Sequence, residues 1–399
     1  METLFLKQER LLAQISTRIV RELMNQIHWD NRLIAIRGSR GVGKTTLMLQ
    51  YIKLHYPAGS REVLYCSLDS IYFSNHNLLE LVEAFYLQGG KHLFLDEVHK
   101  YPTWSKELKE VHDLYPTLRV VFSGSSLLNI LNADADLSRR CIPYNMYGLS
   151  FREFLRFYKG IDMPVCPLTE VLQNASAICG EVNAKCRPVQ MFNEYLREGY
   201  YPFFTGNRED YYIRIENVVN LILEQEMPLL CGVDPAYVRR LKAMLGILST
   251  SVPYEVDITK LAGTIGLTRN SVITYLQNLG RAELLNLLYS DILSVKRMQK
   301  PDKIYLQNTN LLYAISTTQV QIGTVRETFA VSQLMVNHVV EYGKRQGDFV
   351  VDHTYTFEVG GGDKGFRQIA GVPNSYVLAD NVEYATGNKL PLWLVGLCY

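Results

Sequence analysis

No charge of one sign dominates this sequence: 41 lysines and arginines stand against 40 aspartates and glutamates, for a formal net charge of +1. That balance excludes a global field that would gather nucleic acid or anionic membrane. Any contact with DNA must come from a local basic patch. Cysteine is sparse and scattered. Seven are present, none in a C-x-x-C pair, and Cys166, Cys179 and Cys186 have no histidine at zinc-finger spacing. This argues against a structural zinc site and a disulfide framework, and dispersed thiols suit a reducing cytosol. No stretch approaches the ~18 apolar residues of a membrane helix, and the first twenty residues lack the apolar core of a cleavable signal. A cytoplasmic protein with no membrane partner is expected. Internal repeats and low-complexity linkers are also missing, so composition does not mark the domain boundaries.

What is present is a chain of 399 residues, long enough for two to four domains. Hydrophobic content of 47% and charged content of 20% are those of a folded protein. Residues 7–27 place Leu11, Leu12, Ile15, Ile19 and Leu23 at helical spacing, which predicts an amphipathic helix. Beyond it, "RLIAIRG", "EVLYCSL", "HLFLDE" and "LRVVFSG" read as short apolar strands. They alternate with the helical stretches "TTLMLQYIKL", "NLLELVEAFYLQ" and "WSKELKEVHDLY". Such alternation predicts a parallel sheet covered on both faces. After "LSFREFLRFYKG" the pattern is mostly helical through 161–245, and 256–290 forms a compact helical unit. Strands return in "KIYLQ", "GDFVVD", "TYTFEVG", "NSYVLAD" and "PLWLVGL", with one helix near 324–342.

"GSRGVGKT", Gly38 to Thr45, matches G-x-x-x-x-G-K-[ST] directly after a predicted strand and at the start of a predicted helix. Gly38, Ser39, Arg40, Gly41, Val42, Gly43, Lys44, Thr45 and Thr46 are the candidate nucleotide-binding residues. Gly41 and Gly43 let the backbone curl so that its N–H groups face phosphates. Lys44 adds a point charge and Thr45 a hydroxyl for Mg²⁺, and the helix N-terminus favours an anion. About fifty residues on, "HLFLDEVH" ends a strand in Asp96, placed to hold Mg²⁺, and Glu97, placed to orient or activate an attacking water. The adjacent Asp-Glu pair argues for hydrolysis beyond binding. His99 reads as a helix-start residue more than a ligand. Ser123, ending the next strand, is a candidate polar sensor, while Ser125 or Ser126 can cap a following helix. Arg139 and Arg140 stand open between a transition-state finger and a solvated basic pair.

"GSRGVGKTTL", "LFLDEVHK", "VVFSGSS" and "YGLSFREFL", in that order and spacing, resemble AAA-type P-loop ATPases of bacteria and archaea. In that family the C-terminal domain of unknown function is similar to PD-(D/E)xK nucleases. The resemblance continues in "FNEYLREGYYPFF", where Tyr200 replaces the second glycine of the family's Gly-Gly-aromatic-Pro turn, which implies an altered turn. It also implies Arg140 as the better finger candidate, acting in cis or in trans, although the glycine before it is missing. ATP is implied over GTP, since no NKxD motif occurs.

The fold class expected is α/β. A parallel-sheet, AAA-like P-loop ATPase domain (1–160) leads, followed by a helical lid or linker region (161–245). A winged-helix unit (246–306) and a degenerate PD-(D/E)xK-like α/β domain (307–399) complete the chain. The expected activity is hydrolysis of ATP with Mg²⁺ as a conformational switch. The rival readings are a DNA-binding interaction protein with a regulatory ATPase, and an ATP-dependent nuclease. Partners expected are ATP, double-stranded DNA through the winged helix, and a second copy or another protein.

"VDITKLAGTIGLTRNSVITYLQNL", 256–279, reads as helix-turn-helix: Ile258, Leu261, Ala262 and Ile265 make one apolar face, Gly266 the turn, and Thr268 a cap. Val272, Leu276 and Leu279 bury the second helix and leave Arg269, Asn270, Thr274 and Gln277 outside. The lysine-rich "SVKRMQKPDKIYL" that follows resembles a basic wing. With one arginine on the outer face, phosphate contact is expected over base reading. Packing or protein contact is the rival use of such a unit.

"GDFVVDHTYTFEVGGGDKGF" supplies Asp348 and Glu358 at strand-turn-strand spacing, and Glu327 lies on the preceding helix. A PD-(D/E)xK site needs a lysine two residues after the glutamate to position water. Gly360 stands there instead, with Lys364 four residues on. The site Glu327, Asp348, Glu358 and Lys364 is therefore expected to be vestigial, with "KGFRQIAG" a helix over the sheet.

Overall fold

A computed structural model of the chain describes residues 1–127, 137, 139–250, 254–255, 257–290, 300–344 and 346–399. It divides into two compact units, Met1–Tyr147 with Leu229–Gly232, and Gly148–Pro228 with Val233–Tyr399.

The first unit is built on a parallel sheet of β1 (Leu33–Arg37), β2 (Val63–Ser67), β3 (His92–Asp96), β4 (Arg119–Gly124) and β5 (Ile142–Asn145), in the order β2-β3-β4-β1-β5. The apolar runs alternate sides, as strand geometry requires. Leu33 and Ala35 join Leu64, Leu93, Leu95, Val120 and Phe122 in one core. Ile34 and Ile36 join Val63, Phe94 and Val121 in the other. Helix α1 (Glu2–Gln14), α3 (Leu78–Leu87) and α4 (Trp104–Leu114) supply side chains to the first core, and α2 (Lys44–His55) to the second. Each fully buried valine, leucine or isoleucine contributes about 1.5–3 kcal/mol. The sheet is thus clamped from both faces, and the carboxyl ends of β1, β3 and β4 share one edge. Those ends carry the phosphate loop, Asp96 and Ser123.

The helix expected over 7–27 stops at Gln14. Four carbonyls beyond or at its end are taken by side chains of α2. Lys53 Nζ donates to Leu12 and Ile15 at 2.8 and 2.7 Å, and Gln50 Nε2 donates to Ser16 and Ile19 at 2.7 and 2.9 Å. Tertiary hydrogen bonds outcompete the helix for that stretch.

In the second unit, α5 (Leu168–Lys185), α6 (Pro188–Glu198) and α7 (Arg208–Leu221) follow "LSFREFL". Phe151 and Phe154 stack edge-on against Tyr195, which is why this segment sides with the second unit and the division falls at 147, ahead of the expected 160. Asn310 anchors the altered turn. Its Oδ1 accepts from Tyr200 N (2.8 Å) and the Tyr211 hydroxyl (2.6 Å), and its Nδ2 donates to the Tyr195 and Leu196 carbonyls (3.0 Å each). The ring of Tyr200 fits because Gly148 faces it: a Cβ there would lie 2.3 Å from the ring.

Helices α8 (Val238–Thr250), α9 (Ile258–Ile265) and α10 (Arg269–Arg281) come next, with a three-stranded antiparallel sheet β6-β8-β7 of Tyr254–Glu255, Lys303–Leu306 and Leu285–Leu288. Asp257 caps α9 through Lys260 N, Gly266 turns the chain at φ 68°, and Thr268 caps α10 through Ser271 N. Val272, Leu276 and Leu279 are buried, while Arg269, Asn270 and Thr274 are exposed and Gln277 is half-buried. The first part of the lysine-rich stretch, residues 294–299, lies outside the described residues.

Helices α11 (Thr309–Ile315) and α12 (Ile322–Leu334) lead into a mixed sheet ordered β13-β12-β11-β10-β9. Its strands are β9 (Val340–Tyr342), β10 (Phe349–Val351), β11 (Tyr355–Gly360), β12 (Ser375–Ala379) and β13 (Lys389–Pro391). The helix expected to 342 ends at Leu334, since 340–342 pair with β10. "PLWLVGL" is a strand only to Pro391 and then a 3₁₀ helix over Leu392–Leu397. "KGFRQIAG" forms one 3₁₀ turn, Arg367–Ile369, and Gly371 ends it at positive φ. No helix among the described residues is long and apolar enough to cross a membrane.

Candidate functional site

Strand β1 delivers the chain into Gly38, whose backbone lies so close to β5 that a Cβ would sit 2.1 Å from the Met146 carbonyl oxygen. Gly41 (φ 84°) and Gly43 (φ 104°) take left-handed conformations that side chains resist, and α2 begins at Lys44. Lys44 is buried, and its Nζ donates to the Gly38 and Ser39 carbonyls at 2.8 and 2.9 Å, closing the loop on itself. Ser39 and Val42 are buried, Arg40 and Thr45 half-buried, and Thr46 exposed on the first turn of α2.

The structure joins Thr45 to Asp96. Thr45 Oγ1 donates to Asp96 Oδ2 at 2.7 Å, across 51 residues of sequence. Asp96 is a hub: Oδ2 also accepts from the Tyr65 hydroxyl at 2.7 Å, while Oδ1 accepts from Ser123 Oγ and, at 3.1 Å, from Glu97 N. The carboxylate's four lone-pair positions are thereby used. Burial, with the Asp96 carboxylate beside it, raises the Tyr65 pKa and keeps that hydroxyl a donor. The pattern of residues gave no sign of Tyr65, which reads as an ordinary apolar position in β2. A hydroxyl and a carboxylate in contact form the hard oxygen donor set that suits Mg²⁺.

Glu97 stands at φ 53°, a conformation unusual for a side-chain-bearing residue. Its N–H donates to Ser123 Oγ at 3.2 Å, and its Oε2 lies 3.5 Å from Arg40 Nη1 and 3.4 Å from His99 Nε2. His99 is buried within a 3₁₀ turn, and its ring turns to Glu97. Ser125 and Ser126 are both buried, and the helix they were expected to cap lies outside the described residues.

Arg140 is not brought to this edge. It precedes β5, whose amino end lies on the opposite edge of the parallel sheet, and it forks onto Asp113 at 2.9 and 3.0 Å. That pairing holds the Asp113 pKa below the usual carboxylate range. Its neighbour Arg139 is exposed.

In the second unit, Asp348, Glu358 and Glu327 gather with Lys303 and Lys364. Asp348 Oδ2 accepts from Val359 N at 2.8 Å. Burial first, then Glu327, pushes the Asp348 carboxyl up to about 6. Glu358 is buried, and its Oε2 accepts no hydrogen bond among the described residues. The lysine missing at 360 is replaced in space. A Cβ on Gly360 would lie 2.6–2.7 Å from Lys364 Cβ, Cγ and Cδ. Lys364 Nζ reaches Glu358 Oε1 and donates to Gln368 Oε1 at 2.7 Å. Glu327 is engaged elsewhere, by Lys303 Nζ at 3.1 Å and the Tyr305 hydroxyl at 2.6 Å. Lys303, expected on a basic wing, is instead buried and lies 4.0 Å from Asp348. Among the described residues, no group of three or more His, Cys, Asp or Glu side chains is arranged to hold a metal.

Residues 30–155 match the AAA_14 model, described as an AAA domain. The chain is 27% identical over 285 residues to one uncharacterised protein of Methanocaldococcus jannaschii, covering 68% of this chain and 60% of that protein. It is 25% identical over 273 residues to a second from the same organism, covering 65% and 56%. It thus spans well under two thirds of the length of these curated relatives. Among solved structures, it is similar to the S. cerevisiae Hsp104-ADP complex, with 14% identity, a TM-score of 0.27, and 71% of this chain and 41% of that one covered. It is also similar to C. elegans PCH-2, with 14% identity, a TM-score of 0.23, and coverage of 70% and 66%. Residues 30–155 thus match an AAA domain model and carry a closed phosphate loop on a parallel five-stranded sheet.

Proposed function

We propose that the first unit binds ATP and hydrolyses it to ADP and phosphate, as a conformational switch. The observation that carries this reading is the Thr45–Asp96 hydrogen bond at 2.7 Å beside the Lys44-closed loop. Thr45 and Asp96 would hold Mg²⁺, which when bound offsets phosphate charge. Lys44 would leave the Gly38 and Ser39 carbonyls for phosphate oxygens. Glu97 would take a proton from water, and Ser123, already on Glu97 N, would fix its backbone. Arg40 lies close enough to Glu97 for a terminal phosphate to compete for its guanidinium. Arg140 would reach a phosphate only from a second copy, since its own loop is on the far edge. ATP turnover measured with and without duplex DNA, over a range of protein concentrations, tests these roles together. No turnover under any condition, with no ATP binding, contradicts the reading.

A second reading concerns the second unit, and one observation favours it: Lys364 fills the space of a side chain on Gly360 and ends at Glu358. The site expected to be vestigial would then keep a cation beside two carboxylates, Asp348 and Glu358, the set that phosphodiester hydrolysis uses with a divalent ion. The helix-turn-helix and the antiparallel strands after it support a winged-helix unit. Its exposed Arg269, Asn270 and Thr274 are suited to duplex phosphates. Mn²⁺-dependent cleavage of duplex DNA that disappears in both Asp348→Ala and Lys364→Ala supports this reading. Cleavage surviving both changes, or no cleavage by the wild type, removes it.

A further inference from the structure

Arg21 belongs to no motif, yet it grips the phosphate loop. The side chain is buried at 7% exposure; Nη1 donates to the Val42 carbonyl at 2.9 Å and Nη2 to the Tyr147 carbonyl at 2.8 Å. Val42 lies between the two left-handed glycines, Gly41 and Gly43. Glycines give a loop its curl but also leave its peptide planes free to turn over. A trans peptide is planar, so the carbonyl of one residue and the N–H of the next point to opposite sides. Holding the Val42 carbonyl toward Arg21 therefore turns the Gly43 N–H away from it.

We infer that Arg21 is a positioning residue for the phosphate loop: it locks the Val42–Gly43 peptide so that the Gly43 N–H faces a bound nucleotide's phosphates. The inference rests on the nucleotide-binding reading of that loop. Arg21 itself is anchored. The segment ahead of it is tied to α2 through Gln50 on the Ser16 and Ile19 carbonyls and Lys53 on those of Leu12 and Ile15. The helix that opens at Lys44 thus carries both the loop and the segment that braces it. A lysine at 21 would keep the charge but lose the planar fork that spans two carbonyls at once.

The test is equilibrium binding of a fluorescent ATP analogue to the full chain, with steady-state kinetics, for wild type, Arg21→Lys and Arg21→Gln. Losing one charge-assisted hydrogen bond to the loop predicts dissociation constants and KM values raised about tenfold or more in both variants. The value of kcat at saturation should stay within about threefold, because Glu97 is untouched. Thermal unfolding without nucleotide keeps a folding defect apart from a loop defect. The Arg21→Lys melt should lie near wild type, while its stabilisation by ATP shrinks. Wild-type affinity in Arg21→Lys and Arg21→Gln overturns the inference, as does a fall in affinity accompanied by a matching collapse of the nucleotide-free melt in both. A wild type that binds no nucleotide overturns the underlying reading, and is told apart by that control alone.

Discussion

Thr45 Oγ1 and Asp96 Oδ2 lie 2.7 Å apart, one at the start of the helix after β1 and the other at the end of β3. A parallel sheet places the carboxyl ends of both strands on one edge, so two residues 51 apart in sequence become a single oxygen donor pair. Tyr65 and Ser123 hold the same carboxylate from β2 and β4. Three strands and a helix therefore converge on Asp96.

Removing one of these donors should cost stability without disturbing shape. Tyr65→Phe deletes only the hydroxyl that faces Asp96. A hydrogen bond to a charged group contributes about 1.5–3 kcal/mol, and urea unfolding should show a loss of that order. An unchanged midpoint would mean that water replaces the hydroxyl at no cost.

Gly38→Ala addresses the loop's entry. The added Cβ would fall 2.1 Å from the Met146 carbonyl oxygen, a backbone atom that cannot swing aside. The expected outcome is destabilisation by about 1–3 kcal/mol, together with weakened ATP binding by calorimetry. Full retention of both would show that β5 can withdraw from the loop.

Arg140 supplies a test of assembly. Forked onto Asp113 at the far edge of the sheet, it can serve a nucleotide only across an interface. If it does, turnover per subunit should rise with protein concentration and lose that rise in Arg140→Ala. Concentration-independent turnover, unaltered by the substitution, would leave Arg140 a surface ion pair.

The pH dependence of stability should expose Asp348. Its folded carboxyl titrates at about 6, raised by burial and by Glu327, with Glu358 adding to this and Lys303 and Val359 N opposing it. The unfolded value is about 3.9, so between these values the native state binds the extra proton. That contribution is complete below the unfolded pKa and is lost as pH rises through about 6. Denaturant titrations from pH 4 to 7 should show this fall in the wild type and a flatter profile in Asp348→Asn. Parallel profiles would place the titration elsewhere.

Much of the first unit was legible in the residues because its signals are local. The loop occupies consecutive positions, and alternating apolar strands announce a sheet covered on both faces. Asp96 and Ser123 could be placed because each ends such a strand. Arg21 and Tyr65 could not, since each acts on a partner brought near only by folding. The helix expected over 7–27 failed for the same reason: Gln50 and Lys53, far along the chain, take the carbonyls that a longer helix would use. Lys303 has a basic wing's composition but points inward to Glu327, which no charge pattern reveals. Lys364 is the sharpest case. Counting positions reports a missing cation at 360, whereas the turn of glycines folds Lys364 back over that position onto Glu358.

The most direct test of hydrolysis in the first unit compares wild type with Glu97→Gln in ATP binding and in steady-state turnover. Glu97 is the carboxylate proposed to take a proton from water, and the substitution keeps its size. The expected result is near-wild-type affinity for ATP with turnover lowered about 100-fold or more. Turnover equal to that of the wild type would contradict hydrolysis at this site by the residues assigned to it.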